Sequence, residues 1–376
     1  MIYLDANASE VPRPHAVELA YKLALGAGNP ASVHQAGKEA KRHLEKAREE
    51  IASFFAVGSK ECIFTSGASE ANALILKSLE KTQSGVERPC FVGATEHPSL
   101  LANLPEWAKI IPVDQSGQHD LQWLEGELSA LKPEQSPLIA VMVANNETGI
   151  YSDVTAFIAL AKLFNAFLHL DGVQAFGRGW ALPKDLPPKI SFSLSGHKMG
   201  GLPGAGALIV SEEHVISPMI IGGGQEGGKR GGTPALPAIA AMAEALKEAQ
   251  TQNWQDIEGL RNELEEAVQA MGGEVIGKDV ARLPNVSSLR LNGISSQAQL
   301  MAMDMSGICV SAGSACASGK MSASSVLKAM GLAERAGQVM RVSLPWNVTQ
   351  REIEFFLNAY RPLARRAKTK LQAEGR

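Results

Sequence analysis

The sequence predicts an α/β protein: a mostly parallel sheet covered by helices, joined to a smaller α+β domain. Three observations carry this. Between residues 62 and 210, short apolar runs alternate with helical patterns, the signature of strands that cross over through helices. Two of those runs, Leu168-His169-Leu170 and Ser191-Phe192-Ser193-Leu194, stop abruptly at polar groups. Open α/β sheets bind ligands beyond the carboxyl ends of such strands. After Pro234 the pattern changes to a long amphipathic stretch followed by scattered strand signals.

Taken in order, strands are expected at 62–65, 90–93, 138–143, 167–170, 191–194 and 207–210. Each is a short apolar or β-branched run of the kind buried on both faces. Between them, 121–131 and 154–164 carry helical spacing. Residues 239–271 are rich in Ala, Glu and Leu, with apolar positions three and four apart, which predicts one or two helices. Strand signals at 286–291 and 308–310 and a closing helix at 351–360 complete the smaller domain. The expected division is a large domain over 14–250 and a small domain over 1–13 and 251–376.

With 36 basic against 39 acidic residues the chain has no basic excess, so neither a nucleic-acid nor an anionic-membrane partner is expected. No apolar run approaches the length of a membrane span. Asp5 and Glu10 stand where a signal peptide needs positive charge, which makes a cytoplasmic protein the expectation. Cys62, Cys90 and Cys309 lie in strand-like runs and are expected to act as small hydrophobes. No Cys-x-x-Cys pair or zinc-spaced His/Cys cluster occurs, so no structural metal is expected.

The chemistry concentrates beyond strand ends. Asp171 and Gln174 follow one strand; Ser195, His197 and Lys198 follow another. A carboxylate that can pair with a pyridinium nitrogen and an amine that can form a Schiff base are what pyridoxal phosphate requires. Thr65-Ser66-Gly67-Ala68-Ser69-Glu70 follows a strand and opens a helix, where small residues let backbone N–H groups approach a phosphate. An ordinary Ser N-cap reads the same way. His97 could lie on the coenzyme ring and exchange protons. Asn146 could hydrogen-bond a ring oxygen or simply belong to a turn. The glycine-rich run from Gly222 to Thr233 could wrap a phosphate, with Lys229, Arg230 and Thr233 making it more than a spacer. Arg341 sits in an apolar run, where a guanidinium needs an anion: a substrate carboxylate and an acidic side chain would serve equally. Cys316 lies among small residues and is a candidate thiolate nucleophile.

In this order the motifs resemble the cysteine desulfurases of the iron–sulfur assembly and nitrogenase-maturation type, within the aminotransferase-like superfamily of pyridoxal-phosphate enzymes. The likeness runs nearly end to end. It includes Tyr3-Leu4-Asp5-Ala6-Asn7-Ala8-Ser9 and Gly28-Asn29-Pro30-Ala31-Ser32-Val33-His34. It implies the fold-type I transferase fold, α/β, with a seven-stranded, mostly parallel sheet in the large domain. It also implies a homodimer with shared sites, L-cysteine converted to L-alanine, and sulfur held as a persulfide on Cys316 for iron–sulfur or other cofactor synthesis. By position, Lys198 would join the coenzyme, Asp171 would face the ring nitrogen, and Gln174 and Asn146 would contact the ring and its oxygen. His97 would stack on the ring and act as acid and base. Ala68, Ser69, Ser195 and His197 would bind the phosphate, with Thr233 of the partner subunit. Arg341 and Asn29 would hold the substrate. Cys316 would receive sulfur and ligate an iron–sulfur cluster shared transiently with a scaffold or other acceptor protein. Gly227 and Gly231 stand where the family more often has arginine and serine, and Pro345-Trp346-Asn347 replaces a Gly-Arg-Phe-like run. The alternatives are a selenocysteine lyase or another aminotransferase or lyase of the superfamily, and a transaminase would not need Cys316.

Overall fold

In the computed structural model, which describes residues 1–82, 84–313 and 324–374, β1 (Ile2–Tyr3) precedes two helices that the sequence pattern did not place. These are α1 (Pro14–Ala24) and α2 (Gln35–Phe54). Pro14 occupies the first turn of α1, where its missing N–H costs nothing. The His34 ring caps α2 by accepting the Gly37 N–H. The inward face of α2 carries Ala40, Leu44, Ala47 and Ile51, mostly small residues whose stripe is diluted by the charges around it.

Next come β2 (Cys62–Thr65), α3 (Ala68–Leu79), β3 (Cys90–Gly93), α4 (Pro98–Leu101), β4 (Lys109–Ile111), α5 (Leu121–Ser129), β5 (Leu138–Met142), α6 (Val154–Leu163), β6 (Phe167–Asp171), β7 (Ile190–Ser195) and β8 (Gly206–Val210). All six expected strands form. The seventh, β4, escaped notice because only Ile111 of its three residues is buried. The amphipathic stretch is two helices, α7 (Leu236–Gln250) and α8 (Trp254–Ala270), parted where Asn253 caps α8 by accepting the Gln255 N–H. The remainder is β9 (Glu274–Val275), β10 (Val286–Arg290), α9 (Ser296–Met305), β11 (Ile308–Cys309), α10 (Ser325–Ala329), β12 (Val339–Ser343) and α11 (Gln350–Glu374). The last helix passes through Pro362, a residue that ordinarily ends a helix.

The large sheet has the order β2-β8-β7-β6-β5-β3-β4. Strands β7, β6, β5, β3 and β4 are mutually parallel. β8 is antiparallel to both β7 and β2, so β2 points the same way as the parallel set. The carboxyl ends of β2, β3, β5, β6 and β7 therefore open on one edge. An aromatic core of Phe55, Phe91, Phe157, Phe176 and Phe192 lies in the cluster around this sheet, and a second core gathers Leu264, Met340, Phe356 and Tyr360. β1 pairs with β11, and the chain beyond it crosses the open sheet edge. There Ala6 N–H donates to Ser343 O, Glu10 N–H to His197 O and Arg13 N–H to Gly200 O. Gly200 has φ +91°, and a Cβ on it would sit 2.7 Å from Arg13 Cγ, so glycine is required at this crossing. Among the described residues, no helix is long and apolar enough to cross a membrane.

Candidate active site

Lys198 sits in the turn after β7, and its Nζ donates to the carbonyls of Asn7 (2.6 Å) and Ala8 (2.9 Å). The crossing segment thus forms one wall of the site. His197 Nδ1 lies 3.3 Å from Ser9 Oγ, and burial, aided by the Lys198 and Arg178 charges, drives its pKa down to about 4. It is a neutral imidazole at neutral pH.

Asp171, the last residue of β6, is buried and faces donors. Its Oδ2 accepts from Asn72 Nδ2 (2.8 Å) and its Oδ1 from Val173 N–H (3.1 Å). Gly172 is needed beside it, because a Cβ there would collide with the Phe176 ring at 1.9 Å. Asn72, on α3, also donates to Ser99 Oγ (2.9 Å), so its Oδ1 must be the end that meets His169 Nε2 at 3.0 Å. His169 Nδ1 is 3.0 Å from Ser191 Oγ. Burial lowers the His169 pKa to about 3. The ring is therefore neutral, donating through Nε2 and accepting the Ser191 hydroxyl.

This chain holds the Asp171 carboxylate in place, and it carries a pH signature. Below pH 6.5 the unfolded chain protonates His169 while the native chain does not, so stability falls as pH drops toward 3. At pH 5 that loss amounts to about 2 kcal/mol. His169→Asn is expected to be less stable than the parent at pH 7, yet to lose about 2 kcal/mol less between pH 7 and pH 5 in urea unfolding. Equal losses in both proteins would remove His169 from this role.

His97 caps α4, its Nδ1 accepting the Ser99 N–H (3.1 Å) with Ser99 Oγ 2.9 Å away. Burial lowers its pKa, Asp171 opposes the shift and Lys198 adds to it, so the three groups share one field. The occupied Nδ1 leaves Nε2 as the protonated nitrogen of the neutral ring. Glu96 is buried and accepts the Met142 N–H (2.8 Å), and that burial pushes its pKa well above the ordinary carboxylate value.

Gln174 is buried, with Nε2 donating to Asn7 O (3.1 Å) and Oε1 taken by Arg178 Nη1. Arg341, in β12, donates through Nη2 to Asp5 Oδ1 (2.6 Å) and through Nη1 to Asn146 O (3.0 Å). Of the two anions the sequence allowed, the acidic side chain is the one seen. Arg341 Nε, buried, has no partner among the described residues and remains a donor for a further anion. Asn146 is half-buried, and its carbonyl also accepts from Asn7 Nδ2 (3.0 Å). The main chain of Asn146 therefore ties Arg341 to the segment that holds Lys198.

At the β2 end, Thr65 and Ser195 both pair with Gly206 in register, which brings the start of α3 against β7. A Cβ on Gly206 would lie 2.5 Å from the Gly67 backbone, whereas one on Gly67 would meet nothing within 4 Å. Space therefore stands open in front of α3. Among the described residues no side chain caps that helix; Ala68 is buried and Ser69 exposed. An uncapped helix start beside Ser195 is a cradle for a phosphate, and the whole arrangement fits pyridoxal phosphate. Thr233 is exposed and lines a cavity of about 160 Å³ with Ser66 and Arg230.

The structure does not bring every expected residue together. Asn29 is exposed, its Oδ1 accepts the Ala31 N–H (3.0 Å), and it lines a different cavity of about 560 Å³. Cys316 lies outside the described residues. The glycine-rich loop, which departs from the family at Gly227 and Gly231, is anchored by Glu226, which takes two bonds from buried Arg48 (2.6 and 2.8 Å) and the Phe64 N–H. Arg230 adds a pair to Glu70 (2.9 Å). Trp346 fills its departure by donating to Val11 O (2.9 Å) under Arg13. Asn72 and Arg178 were missed by sequence reasoning. Only their later positions near Asp171 and Gln174 give them meaning.

Fold and site together define a coenzyme-dependent enzyme of the aminotransferase type, with a lysine amine and a buried carboxylate on neighbouring strand ends. The class-V aminotransferase family model matches residues 2–356, and the chain belongs to that family of pyridoxal-phosphate enzymes. It is 35% identical over 369 residues to the cysteine desulfurase of Rhodobacter capsulatus, covering 94% of this chain and 93% of that protein. It is 32% identical over 382 residues to cysteine desulfurase 2 of Trichormus variabilis, covering 97% and 94%. The solved NifS-like protein of Rickettsia africae superimposes with a TM-score of 0.87 at 34% identity, over 96% of this chain and 98% of that one.

Proposed function

We propose that this chain is a cysteine desulfurase that takes sulfur from L-cysteine, releases L-alanine and carries the sulfur as a persulfide on Cys316. One observation carries the reading: Lys198 Nζ and the Arg341 guanidinium are tethered to one short segment, through Asn7 O and through the Asn146 carbonyl shared with Asn7 Nδ2. That shared tether puts both groups at one segment, as a small amino acid requires: its amine goes to Lys198 and its carboxylate to Arg341. Pyridoxal phosphate supplies an electron sink for the substrate Cα, and Asp171 is the group to keep its ring nitrogen protonated. Lys198 takes the Cα proton. His97, neutral with its proton on Nε2, is placed to give and recover one. Arg341 exchanges Asp5 for the substrate carboxylate, a like-for-like swap of carboxylates that costs little desolvation. Cys316 attacks the substrate sulfur as thiolate: an S–S bond forms, the Cβ–S bond breaks, and the electron pair stays with the substrate, which leaves as alanine after protonation.

The same reading gives the phosphate to Ala68, Ser69, Ser195 and His197 with Thr233 of the partner subunit, and places Asn29 at the substrate side. The ring contacts go to Gln174 and Asn146. It also includes a homodimer, a cytoplasmic location, a large domain over 14–250, and an iron–sulfur scaffold or other acceptor protein that receives sulfur and shares a transient cluster through Cys316.

The test is direct. Purified protein mixed with L-cysteine and a reducing thiol should show the visible band of bound coenzyme and release alanine and sulfide in equal amounts. Pyruvate, or an amino-transfer product without sulfide, would replace this reading with a lyase or a transaminase.

A further inference from the structure

Arg178 is wholly buried, yet the nearest carboxylate, Glu10 Oε2, stands 3.7 Å away. Its Nη2 donates to Ala6 O (2.9 Å), its Nε has no partner among the described residues, and its Nη1 rests on Gln174 Oε1. A buried guanidinium neutralised this loosely is expensive. Its value lies in what it does to the Gln174 amide. With Oε1 occupied by a cation, the amide cannot turn over. The Nε2 end must then face Asn7 O (3.1 Å), the same carbonyl that accepts Lys198 Nζ. An amide nitrogen carries two protons: Asn7 O takes one, and the other is left for a further acceptor.

We propose that Arg178 is a positioning residue that locks the Gln174 amide so that its N–H, and never its carbonyl, meets the phenolic oxygen of the coenzyme ring. The proposal rests on the coenzyme-site reading above and extends it to a residue outside the contact shell. A donor facing that oxygen favours its ionised form, whereas a carbonyl facing it would disfavour that form.

The experiment titrates the visible band of the coenzyme-loaded enzyme between pH 5 and 10 in the parent, Arg178→Met, Arg178→Lys and Gln174→Glu. Arg178→Met is expected to raise the apparent pKa of the band by about one unit, because the freed amide no longer presents its N–H reliably. Arg178→Lys, which keeps a cation on Oε1, is expected to recover part of the shift. Gln174→Glu covers the case in which Arg178→Met does not accumulate. It keeps a partner for Arg178, so it should fold, but it has no N–H and should raise the pKa at least as far. A merely structural Arg178 would lower the melting temperature and leave the band unmoved. Arg178→Met titrating with the parent overturns the proposal, as does Gln174→Glu titrating with the parent. A parent that shows no coenzyme band at all would instead overturn the reading on which the proposal rests.

Discussion

Lys198→Ala is expected to abolish turnover and the covalent retention of coenzyme while leaving the protein folded. The side chain is half-buried and bonded to the Asn7 and Ala8 carbonyls. Lys198 and Ala8 are both partly exposed, so water can take the place of the amine. Net hydrogen-bond contributions of about 0.5–1.5 kcal/mol each limit the stability loss to about 1–3 kcal/mol. The catalytic loss is of another order. Among the described residues, the other groups near these strand ends have different tasks: the neutral His97 ring has its Nδ1 occupied and carries its proton on Nε2, and Asp171, with one bond on each oxygen, keeps its remaining lone pairs for the ring nitrogen. A loss of at least about 10⁴-fold in kcat follows. Borohydride treatment followed by mass spectrometry should find the coenzyme fixed to Lys198 in the parent and to no residue in the variant. An adduct on another lysine, or turnover within tenfold of the parent, would displace Lys198 from its role.

The residues that would touch coenzyme were legible because of where the strands stop. Asp171 and Lys198 follow apolar runs directly, and a polar group at the end of a buried parallel strand has few purposes. Their supports were not legible. Asn72 lies 99 residues before Asp171, in a helix where asparagine is unremarkable. Only the fold shows that its amide bridges Asp171, Ser99 and His169. Arg341 invited two explanations because an apolar run says that a guanidinium needs an anion without saying which. Its partner Asp5 lies 336 residues away, beyond any local pattern. The small domain was read coarsely for a similar reason. β1 and β9 have two residues each, too few to establish a period of two, and they owe their form to the strands beside them. Glu226 was missed for the same reason: within a glycine-rich run read for its phosphate-wrapping residues, only the fold shows one carboxylate clamped by buried Arg48 and fixing its glycine neighbours.

Cys316→Ser is expected to separate the coenzyme chemistry from the sulfur chemistry. The chain on either side of the segment that carries Cys316 is tied to the site: Ser311 Oγ donates to Asp5 Oδ2 (2.7 Å), and Ser324 Oγ donates to buried Glu147 Oε2 (2.5 Å). Asp5 in turn holds Arg341. Neither tie uses the thiol, so the substitution leaves both in place. The visible band and unfolding free energy should match the parent within about 0.5 kcal/mol. Substrate binding should also persist, since Lys198 and Arg341 are untouched, and addition of L-cysteine should still perturb the band. What is lost is the nucleophile. A serine hydroxyl is far less ionised than a thiol near pH 7 and attacks sulfur poorly, so alanine and sulfide formation should fall by at least about 10³-fold. A transaminase or lyase on the same scaffold would keep its turnover in this variant, because its chemistry ends at the carbon skeleton. Retained sulfide release from Cys316→Ser would therefore remove the persulfide from the mechanism, even if every coenzyme contact proved correct.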